Sequence, residues 1–423
     1  MTDRNSIIGK LDWPLLLMYF ALVVVGWLSI YSAGMSEGRH AIYDMTQFCG
    51  KQMMWIGISL AAGFVVLLLD AKVFDAFAYW IYAIVVFLLI AVLVYGKATN
   101  GATSWIDFGG GIKLQPSEFA KLGTALALAS FLGRQDADLT NRSTRIPAYG
   151  ILLLPAALVL LQHDAGSAIV FASFIFVLYR EGMPGAGAVM LLAVGAVAVF
   201  VLTLLWSKTT MFIVIGSLFV LTLAYYLLHK KNGLWRMVAV YAFFFALVFC
   251  VDFAFYKVLE DHQRIRIEVL LGLKDDPQGA GYNLHQSQIA IGSGGFWGKG
   301  FLQGTQTKYD FVPEQHTDFI FCTIGEEGGF KGTLFVILLY VGMLIRIVKM
   351  AERQKLAFSR IYGYSIAGIL FVHVAINIGM TIGLVPVIGI PLPFLSYGGS
   401  SLLAFTVMLA IFLKQDANRL KIL

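Results

Sequence analysis

Apolar runs of about twenty residues, the length that crosses a bilayer core, recur from Trp13 to Leu413 with short polar joints between them. The pattern predicts an all-α, polytopic helical membrane protein with about twelve transmembrane helices. They fall near residues 14–34, 52–70, 74–95, 117–134, 147–163, 165–181, 186–206, 211–228, 236–257, 319–346, 361–383 and 393–414. The first run is longer than a signal-peptide core and ends without a small-residue cleavage pattern, so it is expected to be a retained anchor. The chain, 1–423, reads as a single integral membrane domain with no soluble domain left over.

The joints differ in charge. Alternate ones carry Lys72; Arg134, Arg142 and Arg145; Arg180; Lys230, Lys231 and Arg236; then Arg346, Lys349, Arg353, Lys355 and Arg360, and the tail adds Lys414, Arg419 and Lys421. The opposite joints hold Arg39, Lys51, Lys97, Lys113 and Lys208. Positive residues stay on the cytoplasmic side, which predicts both termini in the cytoplasm and the one long polar loop, about 258–318, outside. That loop has Gly-rich turns at Gly292-Ser293-Gly294-Gly295 and Gly298-Lys299-Gly300, and short helices at the membrane surface are expected in it. Long loops without a packed core of their own are more often functional than idle.

Composition agrees: 59% of residues are hydrophobic and 13% charged, and mean hydropathy is +0.78. In such a chain the net charge of +6 speaks to topology, and no nucleic-acid partner is expected. Cys49, Cys250 and Cys322 are scattered and offer neither a disulfide framework nor metal-ligand spacing.

Charge within apolar runs is costly unless paired or used. In Gln115-Pro116-Ser117-Glu118-Phe119-Ala120-Lys121, Pro116 suits a first helical turn, and Glu118 and Lys121 share one helix face. Two readings stay open: a structural ion pair, or a Lys121 cation offered to phosphate and oriented by Glu118. Asp164, preceded by His163, stands at a helix start where the dipole favours a carboxylate, and plain capping explains it equally well. The segment Pro313-Glu314-Gln315-His316-Thr317-Asp318-Phe319-Ile320-Phe321 places two acids and a histidine where the long loop meets a span. Asp318 is its principal candidate for chemistry, with Glu326 and Glu327 about two turns deeper on the same helix. Asp252 reads as interfacial. Pro386, Gly389, Pro391 and Pro393 break the connection between the last two spans. Ser396-Tyr397-Gly398-Gly399-Ser400-Ser401 then offers a small-residue packing surface, or backbone amides for an anionic headgroup.

Together these blocks resemble the SEDS family (shape, elongation, division and sporulation). Gln263-Arg264 with Arg266, Gly279-Ala280-Gly281-Tyr282 into Gln286-Ser287, and Gly304-Thr305-Gln306 add to the match, which runs from about residue 100 to 401. Gly304-Thr305-Gln306 favours the elongation branch over the division branch. The resemblance implies a peptidoglycan glycosyltransferase that polymerises lipid II by inverting attack of the acceptor GlcNAc 4-hydroxyl on the pyrophosphate-linked donor. Asp318 would then be the catalytic base. Glu118, Lys121, Asp164, Arg264, Arg266, Lys299, Lys308, Glu314, His316 and Ser396 would line the substrate site, with a divalent cation, Mg²⁺ or Mn²⁺, as a candidate aid. The implied partners are a class B penicillin-binding protein and other elongation-complex proteins. Departures are an added hydrophobic pair within about 186–257, His163 and Ala165 where Pro and Leu are commoner, and Ser104 where Arg is common. A lipid II flippase or a scaffold remains the rival class, although no inverted repeat is visible.

Overall fold

The computed structural model describes residues 7–34, 43–99, 102–107, 113–205, 208–228, 234–259, 261–274, 279 and 281–419. Arg39, Lys230, Lys231, Lys421, Ala280 and the side chains of Lys97 and Asp252 lie outside the described set. The chain is a predominantly helical, multi-pass membrane protein. Its principal helices are α1 (Trp13–Ala33), α2 (Phe48–Leu68), α3 (Ala78–Tyr95), α4 (Pro116–Leu132), α5 (Arg142–Leu161), α6 (Ala165–Val170), α7 (Phe174–Arg180), α8 (Ala186–Leu205), α9 (Lys208–Leu228), α10 (Leu234–Phe253), α11 (Asp261–Leu270), α12 (Tyr282–Gly294), α13 (Ile320–Glu352), α14 (Ala357–Ile382) and α15 (Gly399–Asn418). Three short strands, Lys97–Thr99, Ala102–Asp107 and Lys113–Leu114, pair in sequence order between α3 and α4.

Ten described helices are long and apolar enough to cross a membrane. Of the other two expected spans, 117–134 is present as α4 and 165–181 is divided. α4 has 17 residues, nearly all buried, because Ala120, Gly123, Ala125, Ala127 and Ala129 let its neighbours close in. A methyl on Gly123 would stand 3.4 Å from the Tyr82 backbone. The run 165–180 is divided into α6 and α7 by a 3-10 turn at Phe171–Ser173.

The chain forms two compact units, Met1–Pro184 with Asn283–Leu423, and Gly185–Tyr282. The second holds α8, α9 and α10, which pack around Met211, Ile215 and Val248 with Phe244 and Phe245 at the margin. Most of their remaining surface is apolar and outward, as at Leu191 and Leu227, the pattern of helices that face lipid.

In the first unit the helix ends sort by chemistry. At one end Asp12, which caps α1 through the Leu15 amide, receives Arg346 at 2.8 Å and Arg353 at 3.0 Å. Arg353 also holds Asp416 on α15, and Gln354 joins at 2.8 Å. Burial pushes the Asp12 carboxyl upward, but its hydrogen bonds from Arg346, Leu15 and Arg353 hold it below the usual carboxylate range. At the other end α4, α6, α13 and α15 all begin. Gln115 and Ser400 join α4 to α15 at 3.1 Å, and the Tyr397 amide meets the His316 carbonyl at 2.8 Å.

The segment 295–319 is not a free surface loop. α13 breaks at Gly329, whose φ of 61° and ψ of −158° leave the helix, and the carbonyls freed there are taken up by the loop. Lys299 and Gly300 amides donate to Glu326 and Glu327 carbonyls at 3.0 Å each, and the Phe330 amide donates to Gly295 at 2.9 Å. Only glycine allows this approach: a methyl at Gly298 would meet the Glu327 carbonyl oxygen at 2.0 Å.

Candidate active site

Asp318 is half-exposed immediately before α13. Three supports hold the turn beneath it. The Asn377 amide on α14 donates to the Asp318 carbonyl at 2.8 Å and to the Ile390 carbonyl at 2.7 Å. Ser396 Oγ donates to the Thr317 carbonyl at 2.6 Å and accepts from the Leu392 amide at 2.8 Å. Glu314, in the left-handed region at φ 56°, accepts the Thr317 and Phe319 amides on its carbonyl and the Thr317 hydroxyl on its carboxylate. Strained residues of this kind cluster at functional sites.

The broken segment between α14 and α15 runs under the carboxylate. Gly389 has φ 78°, and a methyl there would stand 3.3 Å from Asp318 Oδ2. The same segment packs on α6, because a methyl at Gly166 would meet the Ile388 carbonyl oxygen at 3.2 Å. Asp164 caps α6 by accepting the Ser167 amide at 2.9 Å. Its other oxygen accepts Gln115 Nε2 at 3.1 Å, so Asp164 joins α6 to the start of α4. His163, at φ 61°, makes the tight turn before it.

One helical turn inside, Lys121 is fully buried. Its Nζ lies 2.8 Å from Glu118 Oε1 and 2.8 Å from His373 Nε2, and 5.3 Å from the Phe405 ring centre. His373 Nδ1 is 3.1 Å from the Pro391 carbonyl. An ammonium only donates and a carbonyl only accepts, so the imidazole is neutral with its hydrogen on Nδ1. Glu118, Lys121 and His373 thereby tie two helices to the broken segment.

Lys299 Nζ reaches Glu326 Oε1 at 2.6 Å and Thr305 Oγ1 at 2.7 Å. Glu326, buried, also accepts the amides of Thr305, Gln306 and Thr307 at 2.7, 2.9 and 2.9 Å. Glu327 accepts the Ser32 hydroxyl and the Leu302 amide. Lys308 is half-buried on the same loop and makes no ion pair among the described residues. His316 packs on Phe48 at 4.7 Å between ring centres, and Phe48 meets Tyr397 at 5.0 Å. Burial holds the imidazole below its ordinary value, against the opposing pull of Asp310 and Glu314.

The first unit thus brings Glu314, His316, Asp318 and Ser396 into one hydrogen-bonded turn and links it through 389–391 to Glu118, Lys121 and Asp164. Lys299 stands on the Glu326 side of the same loop. Arg264 and Arg266 belong to the second unit. Arg264 pairs with Asp261 at 3.1 Å and lies 5.5 Å from the Tyr256 ring centre. Ser104, on the strands before α4, is buried. Among the described residues no group of three or more His, Cys, Asp or Glu side chains is placed to hold a metal ion.

His373 and Asn377 escaped the sequence reading. Their signal was present, since two polar residues four apart on an otherwise apolar span share a face and intramembrane polar groups mark function.

Fold and site define a multi-pass helical membrane protein whose polar side chains converge at one end of the bundle around a half-exposed carboxylate. A family model for FtsW, RodA and SpoVE, described as cell cycle protein, matches residues 13–214 and 208–420. The chain belongs to this family. It is 34% identical over 414 residues to peptidoglycan glycosyltransferase MrdB of Escherichia coli K12, covering 97% of this chain and 94% of that one. To peptidoglycan glycosyltransferase RodA of Treponema pallidum it is 33% identical over 444 residues, with 97% and 98% covered. Among solved structures it is similar to a peptidoglycan synthase complex that coordinates polymerization and crosslinking, at TM-score 0.69 and 27% identity, with 97% and 98% covered. The rod shape determining protein RodA of Thermus thermophilus matches at TM-score 0.61 and 26% identity, with 97% of each chain covered.

Proposed function

We propose that this chain is a peptidoglycan glycosyltransferase of cell elongation, which polymerises lipid II into glycan on the outer face of the cytoplasmic membrane, with both termini inside. The observation that carries the reading is the braced, half-exposed Asp318 at a helix start, in a chain aligned almost end to end with glycosyltransferases of that name.

The donor sugar is α-linked to pyrophosphate and the product is β-linked, so one in-line displacement with inversion suffices. Asp318 accepts the proton of the acceptor 4-hydroxyl as its oxygen attacks the anomeric carbon, and the bond to pyrophosphate breaks with the electron pair going to the leaving group. Pyrophosphate leaves without a general acid, unlike the glycosidase case where two carboxylates share the work. Lys308 is the loop cation nearest to hand in sequence, and Arg264 and Arg266 have the planar forks that suit phosphate. Lys121, Lys299, Glu118, Asp164 and Ser396 support the site by shaping it.

The crosslinking partner is a class B penicillin-binding protein, in keeping with the synthase complex that this fold resembles. The test is lipid II polymerisation by purified protein. Asp318→Ala should abolish glycan synthesis while the variant melts like the wild type; undiminished synthesis would remove the assignment.

A further inference from the structure

Asn377 and His373 are buried on one face of α14, four residues apart, and both grip the segment that passes under Asp318. Asn377 uses one amide group for two carbonyls, those of Asp318 and Ile390, at 2.8 and 2.7 Å. His373 takes the Pro391 carbonyl at 3.1 Å and is itself held by Lys121 at 2.8 Å. Gly389, next in line, lies close enough to Asp318 that a methyl there would stand 3.3 Å from Oδ2. The carboxylate therefore stands on a platform of three residues, 389–391, whose two following carbonyls are each fixed by a separate side chain.

We propose that Asn377 is a positioning residue for Asp318, and that His373 serves the same platform by holding the Pro391 carbonyl. This deepens the reading of Asp318 as the base and rests on it. A donor to the Asp318 carbonyl fixes the backbone from which the carboxylate projects, and a shift of an ångström in a reacting group costs on the order of 100-fold in rate. Both side chains are buried and act on backbone carbonyls, so their loss should lower kcat and leave KM in place.

The experiment is steady-state lipid II polymerisation by the purified full chain carrying Asp318→Ala, Asn377→Ala, His373→Asn or His373→Gln, each checked by thermal melting. Asn377→Ala should lose about 10- to 100-fold in kcat with KM within about twofold of wild type. Asparagine at 373 places an amide donor where Nδ1 stands and keeps the Pro391 bond, whereas glutamine keeps the Lys121 contact and releases Pro391. His373→Asn should therefore retain most of kcat and His373→Gln should lose it. If Asn377→Ala keeps wild-type kcat while Asp318→Ala is dead, the positioning role is overturned and the assigned function stands. If Asp318→Ala is active, the function itself fails. Should Asn377→Ala not be recovered as folded protein, the His373 pair decides: equal kcat for the two variants overturns the proposal, and the expected split upholds it.

Discussion

Glu326 Oε1 lies 2.6 Å from Lys299 Nζ, across 27 residues of sequence, and the carboxylate also receives three successive backbone amides from Thr305 to Thr307. The Gly304-Thr305-Gln306 block is thus a turn wrapped around an anion that the protein supplies itself. Glu326→Gln removes the charge and turns an NH₂ toward donors. A loss of on the order of 3 kcal/mol is expected, since a charged hydrogen-bond set is replaced by an unsatisfied one. Lys299→Met should cost less, because that ammonium is partly solvated. Thermal melting and limited proteolysis at 299–307 check the order of the two effects, and equal effects would contradict it.

The buried ion pair of Glu118 and Lys121 should show strong coupling. Lys121→Met alone strands a carboxylate with 1% exposure, and breaking such a pair costs about 3–5 kcal/mol. Removing both charges with Glu118→Gln and Lys121→Met should recover much of that loss. Melting of the two single variants and the double variant measures the coupling, and additive losses would show that the pair contributes nothing beyond its parts.

His316 predicts a pH response. Its folded-state affinity for a proton is lowered by burial, so the unfolded chain binds more protons as the pH falls through the ordinary histidine range and below it. Stability contributed at this site is present above that range and lost on acidification. His316→Phe, which keeps the packing on Phe48, should flatten the loss on the acid side. Melting between neutral and mildly acidic pH checks it; an unchanged slope would exclude His316 as the source.

Gly328 and Gly329 make an internal control. At Gly329 an added methyl would meet the Gly298 amide nitrogen at 2.3 Å, and φ is 61°; at Gly328 nothing lies within 4 Å. Gly329→Ala should lose at least about 1–3 kcal/mol from backbone strain alone, and Gly328→Ala should be tolerated. Comparable melting temperatures for the two would mean that the break in α13 is not held by the loop.

Much of the architecture was legible in residue order because partition between lipid and water is decided locally. A run such as Ala78–Tyr95 is apolar all round and has no choice but to span, and Pro116 and Asp164 announce helix starts through groups one turn away. Asp318 was visible for the same reason, as a carboxylate at the edge of an apolar run. The run 165–180 was legible as apolar but not as divided, since its shape depends on the neighbours that surround it.

What Lys121 pairs with beyond Glu118 could not be read along the chain, because His373 lies 252 positions away and hydropathy carries no term for which polar groups face each other. The same holds for Glu326 and the 299–307 turn, and for Asn377 beneath Asp318. Local periodicity determines which segments enter the membrane; the hydrogen bonds that aim a carboxylate exist only once helices from opposite ends of the chain have packed, because inside the bilayer each buried donor must find its acceptor within the protein.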